Sequence, residues 1–197
     1  MKALTAIACC ALLYPTINLQ AEDINVVFKK VNEYVAQQNY PKAMEELSWA
    51  RKELERLHSI KVATLLPNEL NGFTGAAPKT QAVLGMSTIE RNYTSGKQRI
   101  EVSIAGGTPE GMGGLAGLAK MGMMMEANEP GNETFRLDGR TATLKAANPN
   151  SPEMTVVLES GQIMTIQGKG VDVATLKTFA EALKIGDIDN YLKGGTK

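Results

Sequence analysis

The chain has 197 residues, 43% of them hydrophobic, and 21 basic side chains against 21 acidic ones. That length suits one domain with an appendage, and such a core buries roughly 70% of the unfolded surface without needing metals or disulfides. Zero net charge gives no electrostatic reason to seek nucleic acid or anionic lipid.

The N-terminus reads as an export leader. Lys2 precedes an apolar run from Ala3 to Leu13, then come Pro15 and Leu19-Gln20-Ala21 ahead of Glu22-Asp23. One positive charge, an apolar stretch too short to span a bilayer and a small residue before a polar start predict a signal peptide over 1–21, cut after Ala21. The product is expected to be soluble and periplasmic, with no membrane span. Both cysteines, Cys9 and Cys10, lie in the leader, so the remainder has no disulfide, thiol nucleophile or zinc–thiolate site. Ala6-Ile7-Ala8-Cys9 loosely resembles the box before a lipidated cysteine, but it would leave a very short apolar region, and a free form is expected.

Residues 22–65 predict an antiparallel helical hairpin. Ile24, Val27, Phe28, Val31 and Val35 recur at helical spacing; Asn39-Tyr40-Pro41 breaks the pattern; Ala43, Met44, Leu47, Ala50, Leu54 and Leu57 resume it. Gln37 to Ala50 resembles half of a tetratricopeptide repeat, but no second copy follows to stack on it. Trp49 and Tyr40 are expected to be packing residues, and His58, on a charged flank, a solvated one.

Residues 66–197 form the expected main domain. A loop from Leu66 to Pro78 marks its start, and beyond it the apolar period changes from 3.6 to 2. Strands are predicted over 83–93, 98–104, 135–137, 142–146, 154–158 and 163–166, with turns at 94–97, Asp138-Gly139 and Ser160-Gly161. Ile100, Val102 and Ile104 alternate with Arg99, Glu101 and Ser103, so this strand has one buried and one wet face. Asp172 is the expected N-cap of a helix that buries Val173, Leu176, Phe179, Ala180 and Leu183 and ends near Gly186. The predicted fold class is α+β: the hairpin, then a mainly antiparallel sheet of about six strands, with a short apolar helix inserted and a C-terminal helix packed on it.

The inserted segment, 104–125, carries Gly107, Gly111 and Gly113 after a strand, the spacing of a glycine-rich dinucleotide turn. Too few residues follow to complete a doubly wound sheet, and the next strands are joined by turns, so no cofactor is expected. A phosphate loop fails directly, since Leu118 follows Gly117 and Met121 follows Lys120. Met112, Met121, Met123, Met124 and Met125 crowd into fourteen residues. Thioethers suit Cu(I) in an exported protein, which makes these the copper candidates; flexible packing is the plainer reading. Met121, Met123, Met124 and Met125 are also the expected apolar partner surface.

Catalytic kits are missing. There is no Gly-x-Ser-x-Gly elbow, and one histidine leaves little for a serine triad. Glu90, Glu101, Asp138 and Glu159 are carboxylates in strand or turn positions, but their spacing selects no acid–base pair. No catalytic, cofactor or metal residue is assigned.

Several phrases carry a family resemblance. They are Asn39-Tyr40-Pro41-Lys42-Ala43, Leu65-Leu66-Pro67-Asn68-Glu69-Leu70-Asn71-Gly72-Phe73, Arg136-Leu137-Asp138-Gly139-Arg140-Thr141-Ala142, Ile163 to Gly168 and Leu176 to Leu183. Together they resemble a family of uncharacterised exported bacterial proteins with a Leu-Pro-x-x-Leu-x-Gly-aromatic junction. Members commonly carry tryptophan where this chain has Phe73, which keeps a buried ring and loses an N–H donor. The resemblance implies an envelope location and an α+β sheet domain, and supplies no reaction. The sheet plan also looks like the small α+β folds of photosystem accessory proteins and related lipoproteins, mostly assembly or binding factors. The expected function is a non-enzymatic binding or assembly module for an envelope protein or apolar ligand, with copper handling or an envelope hydrolase as alternatives.

Overall fold

The computed structural model describes residues 23–83, 86–107, 131–146 and 150–194, together with Gly122 and Asn148. The leader and the inserted segment with its five clustered methionines lie outside the described residues. Contacts divide the chain into two compact units, one ending at Glu55 and one running from Arg56 to Lys197.

The first unit holds α1 (Ile24–Ala36) and the N-terminal part of α2 (Tyr40–Leu65). Asp23 caps α1, its Oδ1 accepting from the Asn25 amide at 3.0 Å. The helix ends on Gln38 in the left-handed region, φ 56°, and the Asn39 amide bonds back to the Tyr34 carbonyl at 2.8 Å. That turn lets Pro41 enter the first turn of α2, where a missing N–H costs nothing. Val27, Val31, Ala43 and Ala50 are buried.

The second unit is built on a nine-stranded, wholly antiparallel sheet. Its strands are β1 (Glu69–Leu70), β2 (Phe73–Gly75), β3 (Lys79–Val83), β4 (Met86–Ser95), β5 (Gln98–Gly107), β6 (Asn132–Leu137), β7 (Arg140–Lys145), β8 (Glu153–Val157) and β9 (Ile163–Lys169). The order is β1-β2-β4-β5-β9-β8-β7-β6, with β3 also paired to β4. Two helices follow, α3 (Val173–Ala182) and α4 (Ile185–Leu192). The α+β class holds, with more strands than the six expected.

Period-2 alternation decides which face is covered. Ile89, Tyr93, Ile100, Val102, Ile104, Ala142, Leu144, Met154, Val156, Met164 and Ile166 are all buried on one face. They join Leu176, Phe179 and Ala180 of α3, its C-cap Leu183, Ile185 and Ile188 of α4, and Val62 and Leu66 at the end of α2 in one core. The opposite face is polar. Thr134, Thr143, Thr155, Thr165 and Ser103 fall in register across β6, β7, β8, β9 and β5.

Three expectations need correction. The stretch 66–78 is not only a loop, because Asn71 (φ 48°) and Gly72 (φ 81°) form a two-residue turn joining β1 to β2. Val83 closes β3, and the strand expected from it starts at Met86. The C-terminal helix is also split. α3 ends at Ala182, and Gly186 sits in the first turn of α4 instead of terminating a helix. The Asp172 cap is as expected: its Oδ1 accepts from the Thr175 amide at 2.8 Å, and the hydrogen bonds to Thr175 hold the carboxyl below its ordinary pKa.

Two buried ionic groups tie the layers together. Asp189 of α4 has no solvent exposure and accepts from Arg140 Nε at 2.9 Å, the Glu159 amide at 3.0 Å and the Ser160 amide at 2.9 Å. Burial opposes its charge, but the Ser160 amide, the Arg140 guanidinium and the Glu159 amide outweigh it, so its pKa falls below the ordinary aspartate value. Arg91, on the helix-covered face of β4, donates to the Leu66 carbonyl at 2.5 Å and to Asn68 Oδ1 at 2.6 Å. A Cβ on Gly75 would come within 2.6 Å of Arg91 Nε, so glycine is what admits the guanidinium.

Removing one partner of a buried pair strands the other. Asp189→Ala should therefore lower the unfolding free energy by about 3–5 kcal/mol, measured in urea at neutral pH. The contribution should fade as the pH falls through the folded-state pKa of Asp189, below the ordinary aspartate range. A loss under about 1 kcal/mol would mean the network is incidental.

Candidate functional site

The second unit carries a cleft of about 660 Å³ where the β6–β7 turn meets the α3–α4 junction. Asp138 (φ 48°) and Gly139 (φ 81°) make the two-residue turn, a conformation that Asp-Gly sequences favour. Asp138 Oδ2 accepts from the Gly186 amide at 2.6 Å. The N-cap of α4, Lys184, makes no side-chain capping bond, so a carboxylate from a distant turn satisfies one of the helix's orphan amides. A Cβ on Gly186 would lie 2.9 Å from both Asp138 Oδ2 and Arg140 Nη1. This glycine is there for close approach.

Arg140 forms the floor. Its Nη1 donates to the Asp138 carbonyl at 2.7 Å while its Nε holds Asp189. Around that fixed base lie Phe135, Leu137 and Leu183, with Arg136, Glu181 and Lys184 at the rim. Among the described residues, the side chains of Arg136, Glu181 and Lys184 have neither a hydrogen bond nor an ion pair, and all three residues are exposed. The cleft therefore offers an apolar lining, a locked salt bridge beneath it, two unpaired cations and one unpaired carboxylate. It can hold a polar ligand or an extended chain by charge and shape.

Among the described residues no hydrogen bond joins any two of the carboxylates singled out from the sequence, although Glu90 and Glu101 share a face as diagonal neighbours on β4 and β5. Glu90 Oε1 accepts from Asn92 Nδ2 at 2.8 Å, and Glu101 lies across from Gln167. Asp138 is engaged by Gly186, and Glu159 by the Lys193 ammonium, whose hydrogen bond and charge hold the Glu159 pKa down. Among the described residues, no three His, Cys, Asp or Glu side chains cluster where a metal could sit. The copper candidates Met112, Met121, Met123, Met124 and Met125 lie outside the described residues, as does the partner surface expected from the last four.

His58 corrects its expected solvated placement. Its ring stacks on Tyr191 of α4, centroids 5.5 Å apart and planes 20° from parallel, with Nδ1 3.2 Å from the Tyr191 hydroxyl. The sequence did hold a signal for this, since His58, Val62 and Leu66 recur every four residues and the latter two are buried. Burial lowers the His58 pKa. Phe73 is buried, as the resemblance implies, and meets the Phe179 ring edge-on at 5.6 Å, while Tyr93 does so at 5.0 Å.

A second surface belongs to the helical pair. Among the described residues, the most exposed large apolar side chains are Met44 at 68%, Trp49 at 60% and Tyr40 at 59%. Tyr40 and Trp49 are thus not the packing residues expected. Tyr40, Met44, Leu47 and Leu54 fall on one side of α2 at spacings of four, three and seven.

No family model matches the chain, and neither a curated protein nor a solved structure matches it. No helix among the described residues is long and apolar enough to cross a membrane.

His58 is the only histidine, so one pH window is its own. Its folded-state pKa lies below the unfolded value of about 6.5, so the folded chain resists a proton the unfolded chain accepts. Stability should therefore fall as the pH drops from about 6.5 through the lower folded value, by less than about 1 kcal/mol for a half-exposed ring. Urea midpoints at pH 7.5 and 5.5 should show this drop, and His58→Phe should abolish it.

Proposed function

We propose that this chain is an exported, non-enzymatic binding or assembly module that docks a partner in the bacterial envelope through its helical pair. The observation that carries the reading is the distribution of exposed apolar surface. Among the described residues, every strongly exposed large apolar side chain belongs to α1 or α2: Val26, Phe28, Val35, Tyr40, Met44, Leu47, Trp49, Leu54, Leu57 and Ile60. The sheet, α3 and α4 contribute none, because their apolar residues are spent on the core. Scattered apolar residues on a surface are ordinary, but the row of Tyr40, Met44, Leu47 and Leu54 along one side of α2 marks an interaction surface. Tyrosine and methionine suit such a face, supplying large contact area and adaptable packing.

The leader supports an envelope location, as does the resemblance to exported bacterial proteins. A binding role is favoured over a hydrolase because Asp138 and Asp189, the carboxylates at the base of the cleft, are engaged in holding the fold.

Trp49, on the opposite side of α2, supplies the control. A photo-crosslinker at position 44 of the full chain, expressed in a bacterium, should give discrete adducts in the envelope fraction, and one at position 49 should give far fewer. Leu47→Lys should weaken the interaction by at least about tenfold, as loss of an anchoring contact does. As an exposed substitution it should change stability by less than about 0.5 kcal/mol. Diffuse crosslinking that Leu47→Lys leaves unchanged would sink the reading.

A further inference from the structure

Among the described residues, the longest strand at an edge of the sheet is β6, with an open backbone side. β6 pairs only with β7 and ends the strand order. Because the Asp138-Gly139 turn has two residues, Leu137 and Arg140 form a hydrogen-bonded pair, and so do Phe135 with Ala142 and Glu133 with Leu144. The N–H and C=O of Thr134 and Arg136 must then point away from β7. Among the described residues neither residue has a partner on that side. Thr134 and Arg136 are exposed, and the cleft opens beside them between Phe135, Leu137, Leu183 and Lys184.

We propose that β6 takes up an extended segment of another polypeptide as an added antiparallel strand, carrying an acidic side chain opposite Arg136. Main-chain bonds to Thr134 and Arg136 hold the segment, and alternate side chains give the choice of partner. The residue across from Arg136 shares its face of the sheet, where a carboxylate meets an unpaired guanidinium. The residue across from Phe135 points the other way, into the cleft under Lys184. Further along that face the cationic side is already shaped: Lys177 of α3 bonds to Glu133 Oε2 at 2.7 Å and lies 5.1 Å from the Phe135 ring centre. This surface is separate from the apolar face of α2 and does not rest on it.

The test uses the full chain and three fluorescein-labelled nine-residue peptides of alternating threonine and valine, whose central residue is Asp, Asn or Lys. Anisotropy should show the Asp peptide binding at least tenfold more tightly than the Lys peptide, with the Asn peptide between. Hydrogen exchange should slow at the Thr134 and Arg136 amides on binding. Arg136→Glu should reverse the order of the peptides. Thr134→Pro, which removes one outward N–H at an edge position that tolerates proline, should weaken the Asp peptide at least tenfold with an unchanged melting temperature. Equal affinity for all three peptides, no binding, or protection of those amides in a concentration-dependent dimer without peptide would overturn the proposal. Leu47→Lys should leave peptide binding intact, so failure here and failure of the helical docking face are told apart.

Discussion

A carboxylate with no access to water sets the geometry of the C-terminal half. Asp189 lies on α4, a helix of only eight residues that would not persist alone. Its charge is tolerable only because three donors converge on it, from the start of β7 and the β8–β9 turn. Those donors fix α4 against the sheet, and α4 in turn brings the Gly186 amide to Asp138. The cleft is the space left over by this arrangement. Its floor is rigid because Arg140 is held at both ends, and its rim charges are free because none is needed for the fold.

Arg91 solves the opposite problem at the other side of the same sheet. Among the described residues no carboxylate bonds to it; its acceptors are the Leu66 carbonyl, Asn68 Oδ1 and, at 3.4 Å, the Gly75 carbonyl. The first lies just past the C-terminus of α2, where the carbonyls carry partial negative charge. Three residues, Ala76 to Pro78, oppose two on β4 between the Gly75↔Tyr93 and Lys79↔Glu90 pairs, which is a one-residue bulge. The guanidinium gathers the backbone around that irregularity, and the Tyr93 hydroxyl adds a bond to the Pro67 carbonyl at 3.0 Å. Burial pushes the Tyr93 pKa up to about 12, against the pull of Arg91, so this donor stays protonated. One cost remains: Arg91 Nε has no partner among the described residues.

What was legible in the sequence was local. The Asp172 cap, the turn expected over 94–97, which the structure narrows to Gly96-Lys97, the Asp138-Gly139 turn and the alternation of β5 each depend on residues a few positions apart. β3 was missed because Lys79-Thr80-Gln81 has no apolar alternation, and β1 because two residues carry no period. The split between α3 and α4 was hidden by an apolar pattern that runs through Leu183 into Ile185 and Ile188. Asp189 could not be recognised as a buried anchor, since Arg140 lies 49 residues away and the bonded amides 29 and 30. The cleft inherits that blindness: nothing local says that the Asp138 turn will meet Gly186. The exposure of α2 was misjudged for a different reason. An apolar stripe reports that a face is to be covered, not whether the chain itself covers it.

The two edges of the sheet also differ in a way that bears on partners. An exposed strand edge invites indiscriminate pairing, and proteins blunt it with short strands, bulges, proline and charge. The β1–β2–β3 side uses all of these: strands of two and three residues, the bulge ending at Pro78, and Lys79 at the start of β3. The β6 side has none of the backbone devices. It is six residues long, regular in register and free of proline and bulges, and among the described residues its protection comes from the charges of Glu133 and Arg136. Charge repels wrong partners while admitting a complementary one, whereas a bulge or proline rejects all of them. An edge guarded by charge thus remains a selective acceptor, and its open amides stand beside the cleft that Arg136, Glu181 and Lys184 rim.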